Sequence, residues 1–230
     1  MSWPFGLALT FLVACGDGVF TTKLASDLAS THHTASVLGV YRDGRMSGGG
    51  WDVLAHYVEP ALGSTRCDVG YDSLVFSSSN AALASAIEEY TRADGPTDDL
   101  LFQLAPAAQG DLVLVLTFAG RVPGRNPSTG SVRTDAPGAG LRPPGGGPPG
   151  AQKAESTKDT NVLEISASLF SVALGHSVAL VGMQYSGSSA EDALTRFGAK
   201  LRQSLPNLKC VGWNWNASID PERIRSKINE

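Results

Sequence analysis

Three cysteines, four histidines and a run of glycines are the residues of this 230-residue chain whose types could do chemistry. Cys15, Cys67 and Cys210 stand far apart, with no Cys-x-x-Cys motif and no Cys/His cluster. A structural zinc site needs such ligands at short spacing, so no metal is expected. His32 and His33 are adjacent and on a strand would point to opposite faces, which reads as a solvated pair. His56 falls on the polar side of a helix and His176 in a hairpin turn, and no Gly-x-Ser-x-Gly elbow is present. No catalytic residue is therefore nominated. The carboxylate pairs Glu88-Glu89 and Asp98-Asp99 sit at adjacent helix positions, which do not face one another. The glycines from Gly44 to Gly50 invite a phosphate-binding reading. A P-loop would need Lys and Ser/Thr after its second glycine, where Gly50-Trp51 stands, and the dinucleotide fingerprint fails as well. No cofactor is expected. Trp213 and Trp215 fall on one side of a terminal strand, either as core residues or as a platform that stacks on a sugar or a partner's side chain; they are the candidate partner-binding residues.

The elements that must position these residues follow from periodicity. Ala35–Tyr41 and the nearly continuous Val/Leu run Asp111–Phe118 read as strands, the second covered on both faces. Trp51, Leu54, Val58 and Leu62 form one face of a helix that Pro60 bends or ends. Residues 65–78 allow another strand. Asn80 caps a helix over Ala81–Tyr90, and Thr97 caps a short helix, Asp98–Ala105, whose acidic start suits the helix dipole. Val162–Val172 and Ser177–Tyr185 form a hairpin. Ser188 and Glu191 stand in capping-box spacing before a long helix. Lys209–Trp215 reads as a strand, and Pro221 opens a final helix. The order β-α-β-α-α-β-loop-β-β-α-β-α predicts an α/β fold, with a single mixed β-sheet flanked by helices.

Composition bounds the class. Apolar residues make up 42% and charged ones 17%, with a net charge of −4, which fits a globular chain without the basic footprint of a nucleic-acid binder. A chain of this length buries roughly 70% of its unfolded surface, enough for one core. Between residues 120 and 151 lie nine of the 26 glycines and seven of the 13 prolines. Such a segment cannot bury enough apolar surface to offset its ordering entropy, so 121–158 is read as a disordered Pro/Gly-rich loop.

The apolar run from Phe5 to Ala14 is too short to span a bilayer and has the length of a secretory h-region. Its end, Leu12-Val13-Ala14-Cys15, resembles the lipobox of bacterial lipoproteins, although Met1–Pro4 carries no Lys or Arg. The resemblance implies a signal peptide over 1–14, lipid on Cys15, and a tether over 15–34 that leads to an α/β domain at 35–230. With Cys15 lipidated, Cys67 and Cys210 remain as a disulfide pair in an oxidising compartment or as two separate buried thiols. Gly16 after the anchor favours the outer membrane on its periplasmic face.

The β-α-β-α-α unit, the strand after Gly110-Asp111, and the hairpin and amphipathic helix that follow resemble LpoB-type activators of penicillin-binding proteins and the domains of CsgG and the TolB amino-terminal region. In those the hairpin commonly carries an Asp-x-x-Thr-Gly turn; here Ser171–Gly175 keeps the glycine alone. The resemblance implies a non-enzymatic envelope domain that binds a protein or peptidoglycan. Two alternatives stay open. One is a secreted hydrolase that uses His56 or His176; the other is a structural subunit of an envelope secretion assembly. Nothing in the sequence specifies an oligomeric state.

Overall fold

Runs with β-branched alternation supply the strands and helices cover them, in the order β1 (Gly18–Leu24), β2 (His33–Arg42), β3 (Arg45–Ser47), α1 (Trp51–Val58), α2 (Gly70–Val75), α3 (Ala81–Ala93), α4 (Asp98–Leu104), β4 (Leu112–Pro123), β5 (Asn161–Ser171), β6 (His176–Tyr185), α5 (Ala190–Ser204), β7 (Leu208–Val211) and α6 (Pro221–Ile228). A computed structural model describes residues 18–63, 67–75, 80–93, 95–123, 161–187 and 189–228. The strands form one mixed sheet in the order β1-β6-β5-β4-β2-β3, with β7 also on β2. β2 runs parallel to β4 and β7; the other pairings are antiparallel. This is the expected α/β architecture.

β2 and β4 are the centre. Ala35–Val40 and Leu112–Leu116 are buried without a break, because helices lie on both faces there. The space at Gly50, just before α1, meets Val40, whereas that at Gly39 meets Tyr71 of α2; consecutive residues of one strand point to opposite faces. α5 packs on β5 and β6 and against α1, and α3 packs on α2, β3 and α6. Ile165, Ala167 and Leu169 of β5 and Val181 and Met183 of β6 are buried, while Glu164, Ser166 and Ser168 alternate with them in more open positions.

Several local expectations are corrected. Of the tether expected over 15–34, residues 15–17 lie outside the described residues, His33 already begins β2, and Gly18–Leu24 is strand β1, which pairs with β6 through all seven residues. Its alternation puts Phe20, Thr22 and Leu24 toward the helices and Val19, Thr21 and Lys23 outward, a pattern that the small polar residues around it disguise. Of the stretch 65–78, Gly70–Val75 is helix, with Tyr71 and Leu74 buried one turn apart. The glycine-rich turn begins as a hairpin: Asp43 (φ 50°) and Gly44 (φ 79°) both take the left-handed region, the two-residue turn that suits the twist of paired strands. β7 stops at Val211, and Trp213 makes an isolated bridge to Ala108. The cap of α5 is Ser189, whose hydroxyl accepts from Asp192 N, rather than Ser188, which lies outside the described residues. Arg121–Pro123, expected to belong to the loop, are part of β4; the rest of that expected loop, residues 124–158, lies outside the described residues, as do the leader and Cys15.

Candidate functional site

The residues with chemical potential gather at the end of the sheet where β4 begins and β5 turns into β6. The disulfide is one: Cys210 on β7 joins Cys67 ahead of α2, with Cα atoms 5.6 Å apart and 143 residues between them in sequence. A loop of that length gives about 5 kcal/mol of stabilisation in the chain-entropy picture.

Beyond β7 the chain carries the two tryptophans. Trp213 donates from Nε1 to the carbonyl of Val37 (2.8 Å), and its ring lies over Gly70, where a Cβ would stand 2.5 Å from Nε1. Trp215 stacks on Trp213, with centroids 4.8 Å apart and planes within 2°. Both are half-buried against the core, and the indole N–H of Trp215 is buried without an acceptor among the described residues. Trp213 is thus a structural anchor, and Trp215 is the outer member of the pair.

Asp111, just before β4, meets the start of its parallel neighbour β2. Its carboxylate accepts from Thr34 N (2.5 Å) and Thr34 Oγ1 (2.8 Å) and lies 2.5 Å from His33 Nδ1. Burial pushes the Asp111 carboxyl upward, but the hydrogen bonds from His33 and Thr34 together outweigh it and hold the group below its usual range. The other imidazole nitrogen, His33 Nε2, is hydrogen-bonded to Thr31 Oγ1, which also donates to Asp27 O (2.9 Å). Thr31, His33 and Asp111 form a hydroxyl–imidazole–carboxylate chain. The solvated pair expected at His32-His33 is therefore half right: His32 is exposed and His33 is tied to β4. Beside it the fully buried Ser36 accepts from Gln109 N and Gly110 N (3.1 Å each) and donates to Gly212 O (2.8 Å).

The same end carries a groove of about 500 Å³ between α4, the β5–β6 turn and the approach to α6. Phe102, Pro106, Val172 and Ile219 supply its apolar lining, with Asp220 and Arg223 at one side. Phe102 is 55% exposed and Leu174 58%, and Gly175, next to Leu174, abuts the Phe102 ring. Val172 is joined to the His33–Asp111 cluster through its N–H, which donates to Asp111 O (3.0 Å).

The other nominated groups lie apart from this end or serve the frame. His56 is exposed and edge-on to Tyr57. His176 Nδ1 stands 3.1 Å from the carbonyl of Ser177. Glu88 pairs with Arg92 one turn along α3; Asp98 accepts from Ser177 N (3.1 Å), and Asp99 approaches Lys227 at 3.5 Å. In the glycine turn the Asp72 carboxylate sits against Gly48, a negative charge where a phosphate-binding loop would have to receive an anion. Burial, with the nearby Asp52 charge, raises the Asp72 carboxyl. Among the described residues no group of three His, Cys, Asp or Glu could hold a metal, and no helix is long and apolar enough to cross a membrane.

The groove and the Thr31–His33–Asp111 chain were missed by sequence reasoning. The signal available was a lone Asp immediately before a buried strand, which needs donors from the neighbouring strand. Comparison with known proteins finds no matching family model and no matching curated protein. Among solved structures the chain is similar to the PelC dodecamer from Paraburkholderia phytofirmans, at 13% identity and a TM-score of 0.36 over 82% of this chain and 96% of that one. A leucine-to-methionine variant of that dodecamer gives 14% identity and a TM-score of 0.29 over the same shares.

Proposed function

We propose that this is a non-enzymatic cell-envelope protein, held to the outer membrane by lipid on Cys15, whose α/β domain binds a protein or peptidoglycan partner at the groove end of the sheet. The observation that carries the binding role is the groove itself: two large apolar side chains, Phe102 and Leu174, stand more than half exposed beside a concave apolar lining, an arrangement that marks interaction surfaces. The Cys67–Cys210 disulfide supports an oxidising compartment, and the Leu12–Cys15 motif supports the anchor. The resemblance to LpoB-type, CsgG and TolB domains agrees with a binding role.

Two measurements test the reading. Cells fed an alkyne-bearing fatty acid should label the wild-type chain and lose the label in Cys15→Ser; label that survives refutes the anchor. Crosslinking and pull-down should recover a partner with the wild type and lose it in Phe102→Asp, with an unchanged circular-dichroism spectrum.

A second reading, hydrolysis, is favoured by the Thr31–His33–Asp111 chain, with Thr31 as nucleophile and His33 as base in place of His56 or His176. Against it, Thr31 is held by Asp27 O in a surface turn, and none of the three residues lines the groove. A fluorophosphonate that labels the wild type but not Thr31→Ala or His33→Ala would establish it.

A further inference from the structure

We propose that the free edge of β1 is a self-association surface: two copies of the chain pair antiparallel through Gly18–Leu24, centred on Thr21. β1 ends the sheet, and among the described residues its only strand partner is β6. An edge strand presents a row of unpaired N–H and C=O groups, and folded proteins protect such edges with short strands, prolines, bulges or charges. The opposite side of this sheet is protected in that way, by a three-residue β3 and a four-residue β7. β1 is not. Its seven residues pair with β6 without a register shift, it holds no proline, and Lys23 is its one charge.

Self-pairing suits this edge better than pairing with the other one, because neither β3 nor β7 is long enough to cover seven residues. In an antiparallel pair, directly opposed residues share a face. Centring on Thr21 sets Val19 against Lys23 of the second copy, Phe20 against Thr22, Gly18 against Leu24, and Thr21 against itself. Outward residues then meet outward ones, and inward residues meet inward ones. The two lysines avoid each other, and each lies across from Val19, which is 65% exposed in the single chain. Neighbouring registers of the same parity pair fewer residues. The contact is two-fold and closes on itself, so it yields a dimer rather than a filament. It depends neither on the groove nor on Cys15.

The register makes one position decisive. Val19→Glu places a carboxylate across from Lys23 twice per dimer, and Val19→Lys places an ammonium there twice. Opposite charges across a strand pair stabilise it and like charges destabilise it. Sedimentation equilibrium of the full chain in density-matched detergent should show wild type passing from one chain to two as concentration rises. Val19→Glu should tighten the dimer about threefold to tenfold, and Val19→Lys should weaken it by a similar factor, with thermal unfolding of the monomers unchanged. Loss of an apolar contact alone would weaken both variants. A wild-type chain that stays single at every concentration, as it would if the edge serves a partner's peptide, overturns the proposal. So do variants that shift in the same direction or not at all.

Discussion

Asp111 gathers more hydrogen bonds than any other carboxylate at the groove end, and its protonation state is coupled to stability. Its carboxyl is held below the usual range in the folded chain. It therefore contributes stability that is intact above the unfolded value of about 3.9 and is lost as pH falls through the lower folded value. Thermal midpoints of the wild type should drop on acidification below about pH 4, and Asp111→Asn should flatten that part of the profile. Because the side chain is 46% exposed, the loss at neutral pH should be modest, about 1 kcal/mol. A lone Asp before a buried strand is all that the sequence offers toward this role; it does not name the donors. Its donors, His33 and Thr34, lie more than 75 residues earlier in the chain, and only the parallel pairing of β2 with β4 brings them together. The tryptophans were legible as a pair by their alternation, but Trp213's bond to Val37 O and its packing on Gly70 are long-range facts.

At the scale of elements, the strands and helices with strong periodicity stand where their patterns put them: β2, α1, α3, α4, the β5–β6 hairpin and α5. The misread pieces are those whose local signals compete. Gly18–Leu24 reads as spacer because small polar residues flank it, yet its alternation is satisfied by β6, which pairs Gly18 with Tyr185 and Leu24 with Ala179 from the far end of the chain. Tyr71 and Leu74 suit a strand as well as a helix, and burial one turn apart decides for the helix. Gly110 shows how an element boundary is enforced from outside: a Cβ there would stand 2.6 Å from Thr34 O and 3.0 Å from Ser36 N, both backbone atoms of β2. Backbone cannot step aside as a flexible side chain can. Gly110→Ala should push β4 from β2, disturb the Ser36 and Asp111 hydrogen bonds, and lower stability by about 2 kcal/mol or more. Urea unfolding would measure it; an unchanged midpoint would mean that β2 and β4 separate at no cost there.

For the whole molecule, the disulfide ties β7, at one margin of the sheet, to the segment ahead of α2. The reduced unfolded chain gains the entropy that the 143-residue loop withholds. Cys67→Ser with Cys210→Ser should therefore cost about 2–5 kcal/mol, read from the urea midpoint under oxidising conditions and matched by the wild type under reductant.

Sequence alone determined the α/β class and the covered central strand, because both are written in local periodicity. Tertiary structure alone decided that Cys67 and Cys210 meet, that β1 closes one margin of the sheet, and that Phe102, Val172 and Ile219 line one groove. Those outcomes depend on which strand lies beside which, and residues far apart in the chain acquire their partners only when the sheet order is set.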